Sequence, residues 1–88
     1  MIEGKTKSGF VFSIDEDTLN DWETFKMLRK VDRGEPGYLI DAMDRLLGED
    51  QRERMEDHMK EIHGTVRTSD MMATFMEILS SNKAGKNS

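Results

Sequence analysis

A change of hydrophobic period at residues 14–19 constrains this chain more than any other feature of its sequence. Before it, in SGFVFSI, Phe10, Phe12 and Ile14 alternate with Val11 and Ser13. That period of two places the two sets of side chains on opposite faces of a strand. After the acidic run Asp15-Glu16-Asp17-Thr18, Leu19, Trp22, Phe25, Leu28 and Val31 recur every three residues. The spacing predicts a helix carrying those five side chains on one core-facing stripe. The only Trp and three of the four Phe fall within residues 8–28. The segment is therefore expected to form the centre of the core, with Trp22, Phe12 and Leu46 buried together.

Eighty-eight residues suffice for one domain. Apolar and charged residues each make up 35% of the chain, so the core must be thin and the surface heavily charged. Self-association or a partner is a plausible supplement to so small a core. The net charge of −5 argues against a nucleic-acid backbone or an anionic membrane as the main target. Residues 15–32 carry six acids against three bases, and residues 49–62 repeat that balance. The absence of cysteine excludes disulfides and Cys-based zinc sites. No apolar run approaches the roughly 20 residues of a membrane span, and MIEGKTKSGF lacks the apolar stretch of a signal peptide. The expectation is a soluble, cytoplasmic protein.

The predicted fold class is mainly α: four short helices with a small N-terminal β-hairpin or strand packed on them. Gly4-Lys5-Thr6-Lys7 would form the first strand, turning back through Ser8-Gly9 in a type I′ hairpin; a single extended arm is the alternative. Helix one is predicted over 16–32, with Asp15, Asp17 and Thr18 competing as its N-cap and Gly34 ending it. Helix two is predicted over 36–47, with Pro36 in its first turn and Tyr38, Leu39, Met43, Leu46 and Leu47 on its apolar stripe. Helix three, over 50–62, has a narrow stripe of Met55, Met59 and Ile62. Its charged faces carry Asp50/Arg54, Arg52/Glu56 and Glu56/Lys60 at i,i+4. Helix four runs from a Thr68 or Ser69 cap to about 81, with Met71, Met72, Phe75, Ile78 and Leu79 facing inward. Residues 1–81 thus form a single helical domain, and the polar residues 82–88 are expected to be a disordered tail.

No arrangement of residues points to catalysis, so no enzymatic role, cofactor or metal is expected. His58 and His63 stand five residues apart, about 140° around a helix, with no third His or any Cys to complete a zinc site. The acids at 15, 16, 17 and 21 lack the glycine and terminal Glu of a calcium loop. Gly4-Lys5-Thr6 lacks the upstream glycine and following helix of a phosphate loop. The eight methionines are more informative. Seven fall in predicted helices, and a thin core cannot bury them all. Most are core filler, since Met adapts to irregular gaps. Met76 falls off the main stripe of its helix, and a Met-bearing patch there would repack against an apolar or helical partner. Met72, Met76 and Leu79, spaced i, i+4 and i+7, are the candidate protein-binding residues.

The order of these segments carries a family resemblance. A basic hairpin GKTKSGFVF, an acidic cap IDED and a helix LNDWETFKML lead through a Gly-Pro loop to LIDAMDRLLGEDQRERMEDHMKE. The last helix is TSDMMATFMEILSSNKAGK. The chain resembles the tail assembly chaperones of long-tailed bacteriophages with non-contractile tails, of the type found in prophages of Gram-positive bacteria. The resemblance implies a protein that binds the tape-measure protein, keeps it soluble and delivers it for tail tube assembly. It implies work in the host bacterial cytoplasm, absence from the finished virion, and contact with the major tail protein as a further option. A homo-oligomer is left open, and neither nucleic acid nor membrane is an expected partner. Members of that family are often made in two lengths by ribosomal frameshifting, and Gly85-Lys86 is where a slippery codon pair would fall. The alternatives are another phage morphogenesis component, such as a head–tail connector, and a small helix-turn-helix regulator. The regulator would need a basic recognition helix, whereas helix three is acidic.

Overall fold

The computed structural model describes residues 1–87, leaving aside the side chains of residues 36 and 82–87. Among the described residues the chain forms a two-stranded antiparallel sheet followed by five α-helices, and the mainly α class with a small N-terminal hairpin is confirmed. Strand β1 (Ile2–Lys5) pairs with β2 (Val11–Ile14) in the register Ile2 to Ile14 and Lys5 to Val11. The turn differs from the expected two-residue type I′. The Gly9 amide donates to the Thr6 carbonyl at 3.0 Å and the Thr6 amide to the Phe10 carbonyl at 2.9 Å, so Lys7, Ser8 and Gly9 form a three-residue loop. Gly9 has φ +97°, the left-handed residue that closes such a loop. The Thr6 hydroxyl, buried beneath the turn, accepts from the Phe10 amide at 3.1 Å and so holds the loop shut.

The period-two reading of β2 holds: Phe10, Phe12 and Ile14 are buried and Val11 is 57% exposed. The strand cannot be stable as half of a lone hairpin, and its inner face packs on the helices in the main core cluster. A side chain closes its outer edge. In this register the Ser13 amide and carbonyl point away from β1. The Gln51 amide oxygen accepts from the Ser13 N–H at 2.8 Å, and its nitrogen donates to the Ser13 carbonyl at 2.8 Å and the Leu47 carbonyl at 2.6 Å.

The single helix expected over 16–32 is two. Helix α1 (Glu16–Leu19) is capped by Asp15, whose carboxylate accepts from the Asp17 amide. Asn20 ends it, and Asp21 starts α2 (Trp22–Asp32) by accepting from the Glu23 and Thr24 amides. Extended backbone at Asp21 (φ −78°, ψ 139°) separates the two. Each Asp competes with the helix for main-chain donors, so each begins a helix rather than continuing one.

The predicted stripe fails with it. Trp22 is 67% exposed and Phe25 48%, stacked on each other at 5.6 Å, while Thr24 and Val31 are buried and Met27 and Leu28 half-buried. An α-helix turns about 100° per residue, so Trp22 and Val31, nine residues apart, lie on opposite sides. A strict three-residue repeat drifts around the helix. The true inward face is 24, 27, 28 and 31, spaced three, four and seven from its start.

After a 3-10 turn at Pro36–Tyr38, α3 (Leu39–Leu47) buries Leu39, Ala42, Met43, Leu46 and Leu47. It therefore starts three residues later than predicted. Gly48, at φ +87°, ends α3 and begins α4 (Glu49–His63), which buries Met55 and Met59. Ile62, expected on that stripe, is exposed, lying near the helix end. Helix α5 (Thr68–Asn87) buries Met71, Thr74, Phe75 and Ile78. It extends six residues past the expected end at 81. The expected disordered tail of residues 82–88 lies outside the described side chains. Helix α3 packs between α2 and α4 and also carries β2, so it is the hub of the fold.

Candidate functional site

Helix α5 bears the residues singled out for partner binding. Taking Met71 as zero at about 100° per residue, Phe75 and Ile78 fall within about 40° of it and form the core stripe. Leu79, Met72 and Met76 follow at about 80°, 100° and 140°. All three are half-buried, and Met72 and Leu79 also pack against the core cluster. The expected spacing therefore does bring them onto one strip, at the boundary between core and solvent. With Thr74 on its other side, the inward arc of α5 spans roughly 200°, twice the stripe a surface helix needs.

Besides its apolar packing, α5 touches the hairpin through Glu77 and α4 through Thr74. The Lys7 amide of the hairpin turn donates to Glu77 at 2.7 Å. The Thr74 hydroxyl donates to the Asp70 carbonyl at 2.8 Å and lies 3.9 Å from the Met59 sulfur. Beside the start of α5, an apolar groove of about 370 Å³ is lined by Leu39, Ile40, Met43, Val66 and Met71, with Arg52 and Glu56 on its rim. Ile40 and Val66 are exposed there. Arg52 donates to Asp44 and, at 2.7 Å, to Glu56. Those two carboxylates, Asp44 first, hold its guanidinium still more firmly protonated than usual. The groove thus combines an apolar floor with a fixed charged edge, the composition of a binding cleft.

The histidines do different things. His58 is half-buried and tied to the hairpin, its Nε2 3.1 Å from the Ser8 hydroxyl and its ring 5.8 Å from Phe10. His63 is exposed near Asp70, at 3.9 Å. Among the described residues, no group of three or more His, Asp or Glu side chains is disposed to hold a metal ion. Three acids of the 15–21 run have local partners: Asp15 and Asp21 cap helices, Asp21 also accepts from Arg45 at 2.7 Å, and Glu16 pairs with the N-terminal amine at 3.3 Å. That Arg45 hydrogen bond, aided by the Thr24 amide, holds the Asp21 carboxyl below its usual range.

Four of the seven helical methionines (Met43, Met55, Met59 and Met71) are core, and Met27, Met72 and Met76 are half-buried. Sequence reasoning missed the exposed Trp22–Phe25 pair, which bounds a cleft with Leu19, Asn20 and Asp21. Part of the signal was present: Asn20-Asp21 directly before Trp22 marks a helix start, and a helical face through Thr24, Met27, Leu28 and Val31 leaves both aromatics off the inward side. No helix among the described residues is long and apolar enough to cross a membrane. No protein family, curated protein or solved structure was found to match the chain.

Proposed function

We propose that this chain is a phage tail assembly chaperone, a non-enzymatic helical module that binds an apolar helical segment of the tape-measure protein. It acts in the bacterial host cytoplasm and keeps that protein soluble until tail tube assembly. The observation that carries the reading is the half-buried apolar strip of Met72, Met76 and Leu79 on α5, in which Met72 and Leu79 touch the core from its edge and each of the three keeps part of its surface in solvent. Methionine suits such a surface because its unbranched, polarizable side chain repacks against varied partners. The sequence resemblance suggests the partner, and the partly exposed strip on α5 supports the reading that a helical segment binds there.

The test is co-expression of the tape-measure protein with the wild-type chain and with Met76→Asp. The wild type is expected to keep the tape measure soluble. A charge on the strip is expected to leave it insoluble, while circular dichroism shows the variant still folded. A tape measure protected equally well by Met76→Asp moves the contact elsewhere on the molecule. One that the wild type never protects removes the chaperone reading. A very long coiled-coil reading frame immediately downstream of the gene is the matching genomic expectation.

A further inference from the structure

Helix α2 has two faces, and the core uses only one of them. Thr24, Met27, Leu28 and Val31 point inward, buried or half-buried. On the other side Trp22, Phe25, Lys26, Arg29 and the C-cap residue Arg33 fall within roughly 100° of one another about the helix axis. All five are exposed. Their spacing of i, i+3, i+4, i+7 and i+11 is that of a helix–helix seam. The stripe is polarised along its length. The stacked aromatics stand at its start, with a cleft of about 280 Å³ beside them lined by Leu19, Asn20 and Asp21. The Asp21 carboxylate in that cleft is held by Arg45. The cations follow. Lys26 pairs with Glu23 at 3.2 Å, and Lys30 lies 4.3 Å from the centre of the Tyr38 ring. Among the described residues Arg29 and Arg33 have no ion-pair partner.

We propose that this face docks an acidic amphipathic helix of a second protein, antiparallel to α2. Carboxylates in the partner's first turn meet Arg29 and Arg33, and aliphatic side chains two turns later meet Trp22 and Phe25. Charge selects the occupant. In a chain of net charge −5, two unneutralised guanidiniums on one face are a local exception, and carboxylates are the groups they pair with bidentately. They stand at the C-terminal end of α2, so an antiparallel partner brings its own N-terminus there, where its dipole also favours acids. The aromatics are the anchors on which such an interface centres. A nucleic-acid strand fits less well. The stripe is only about 16 Å long, and a strand carries its charge along its whole length, onto the exposed Glu23 and Asp32 that flank the stripe. The surface is separate from the α5 strip, and the inference does not rest on the chaperone reading.

Trp22 is the only Trp, so its emission reports on this face directly. The probe is a synthetic amphipathic helix of about fifteen residues, long enough to span the stripe, with glutamates in its first turn and a leucine stripe beyond them. A second peptide of the same composition carries the glutamates in its last turn, and a third has lysines in their place. The first is expected to shift the emission to the blue and shield it from acrylamide, with added salt weakening the complex. The other two should bind at least tenfold more weakly. Arg29→Glu/Arg33→Glu should lose the first peptide and bind the lysine peptide instead. Should that reversal disturb folding, Arg29→Gln/Arg33→Gln should still weaken the first peptide at least tenfold. Phe25→Ala should weaken it as well, whereas Met76→Asp, on the α5 strip, should bind as the wild type does. No blue shift with the first peptide at up to about 1 mM overturns the proposal. Equal binding of the reversed peptide overturns it too. A blue shift that grows with protein concentration alone assigns the face to a second copy and overturns it. So does a shift produced by a single-stranded oligonucleotide and not by the first peptide, which assigns the face to nucleic acid.

Discussion

Gly4 stands opposite Phe12 across the hairpin, and a β-carbon there would lie 2.5 Å from the far end of the Phe12 ring. The ring has little room to move, being 3% exposed and wedged into the core. Gly4→Ala should therefore cost about 1–3 kcal/mol as an overpacked contact and lower Tm by roughly 5–20 °C. Gly37→Ala, where nothing lies within 4 Å of the new carbon, is the control and should leave Tm nearly unchanged. Trp22 illustrates the opposite case. Its side chain is mostly in water, so Trp22→Ala should change stability by no more than about 1 kcal/mol. The native Trp emission should be red-shifted and fully quenchable by acrylamide. The sequence reading had the reverse, because a Trp on an apolar repeat looks like core. Hydrophobicity identifies which side chains seek burial, but the phase of the helix decides which of them obtain it.

At the scale of elements, strand β2 and the glycine-marked C-terminal ends of α2, α3 and α4 were legible because their determinants are local. Alternation marks Phe10, Phe12 and Ile14, and Gly34, Gly48 and Gly64 fall at or just past helix ends. What was not legible depends on partners distant in sequence. Gln51 is an ordinary polar helix residue until Ser13, thirty-eight residues away, presents an unpaired strand edge to it. Gln51→Ala should cost about 1 kcal/mol and speed hydrogen exchange at the Ser13 amide, with little effect at Phe12. Asp21 joins the α1–α2 break to α3 through Arg45, which also donates to the Thr24 hydroxyl at 2.8 Å. Its carboxyl is held below the ordinary aspartate range, chiefly by the Arg45 hydrogen bond. A lowered folded-state pKa stabilises the fold above the unfolded value, and that contribution is lost as pH falls through the folded one. Asp21→Asn keeps an N-capping side chain but removes the charge. Its stability should fall less steeply than the wild type's in acid-unfolding curves below pH 3.8.

For the whole molecule, the question is where the core's centre lies. The sequence placed it in residues 8–28, on the density of aromatics there. The hairpin face and α3 do belong to it, and Phe12 and Leu46 are buried as expected. But two of those aromatics face solvent, and Phe75 of α5, the one Phe outside the segment, is completely enclosed. Met43, Met55, Met59 and Ile78 are all but fully enclosed with it, so the interior is largely a methionine and aliphatic layer drawn from α3, α4 and α5. Such a layer is hard to foresee, since its members come from three helices whose relative rotation no local pattern specifies. The candidate strip on α5 was easier, because three residues at fixed helical spacing share a side wherever the helix packs. A chain of this length has a total stability of about 4–13 kcal/mol, and emptying a buried phenyl site costs about 3–5 kcal/mol. Phe75→Ala should therefore consume a large share of the stability or unfold the domain outright. Phe25→Ala, removing the same side chain from an exposed position, should leave the urea midpoint almost where it was. Equal losses from the two substitutions, measured by urea unfolding monitored at the helix signal, would move the centre of the core back to the N-terminal segment.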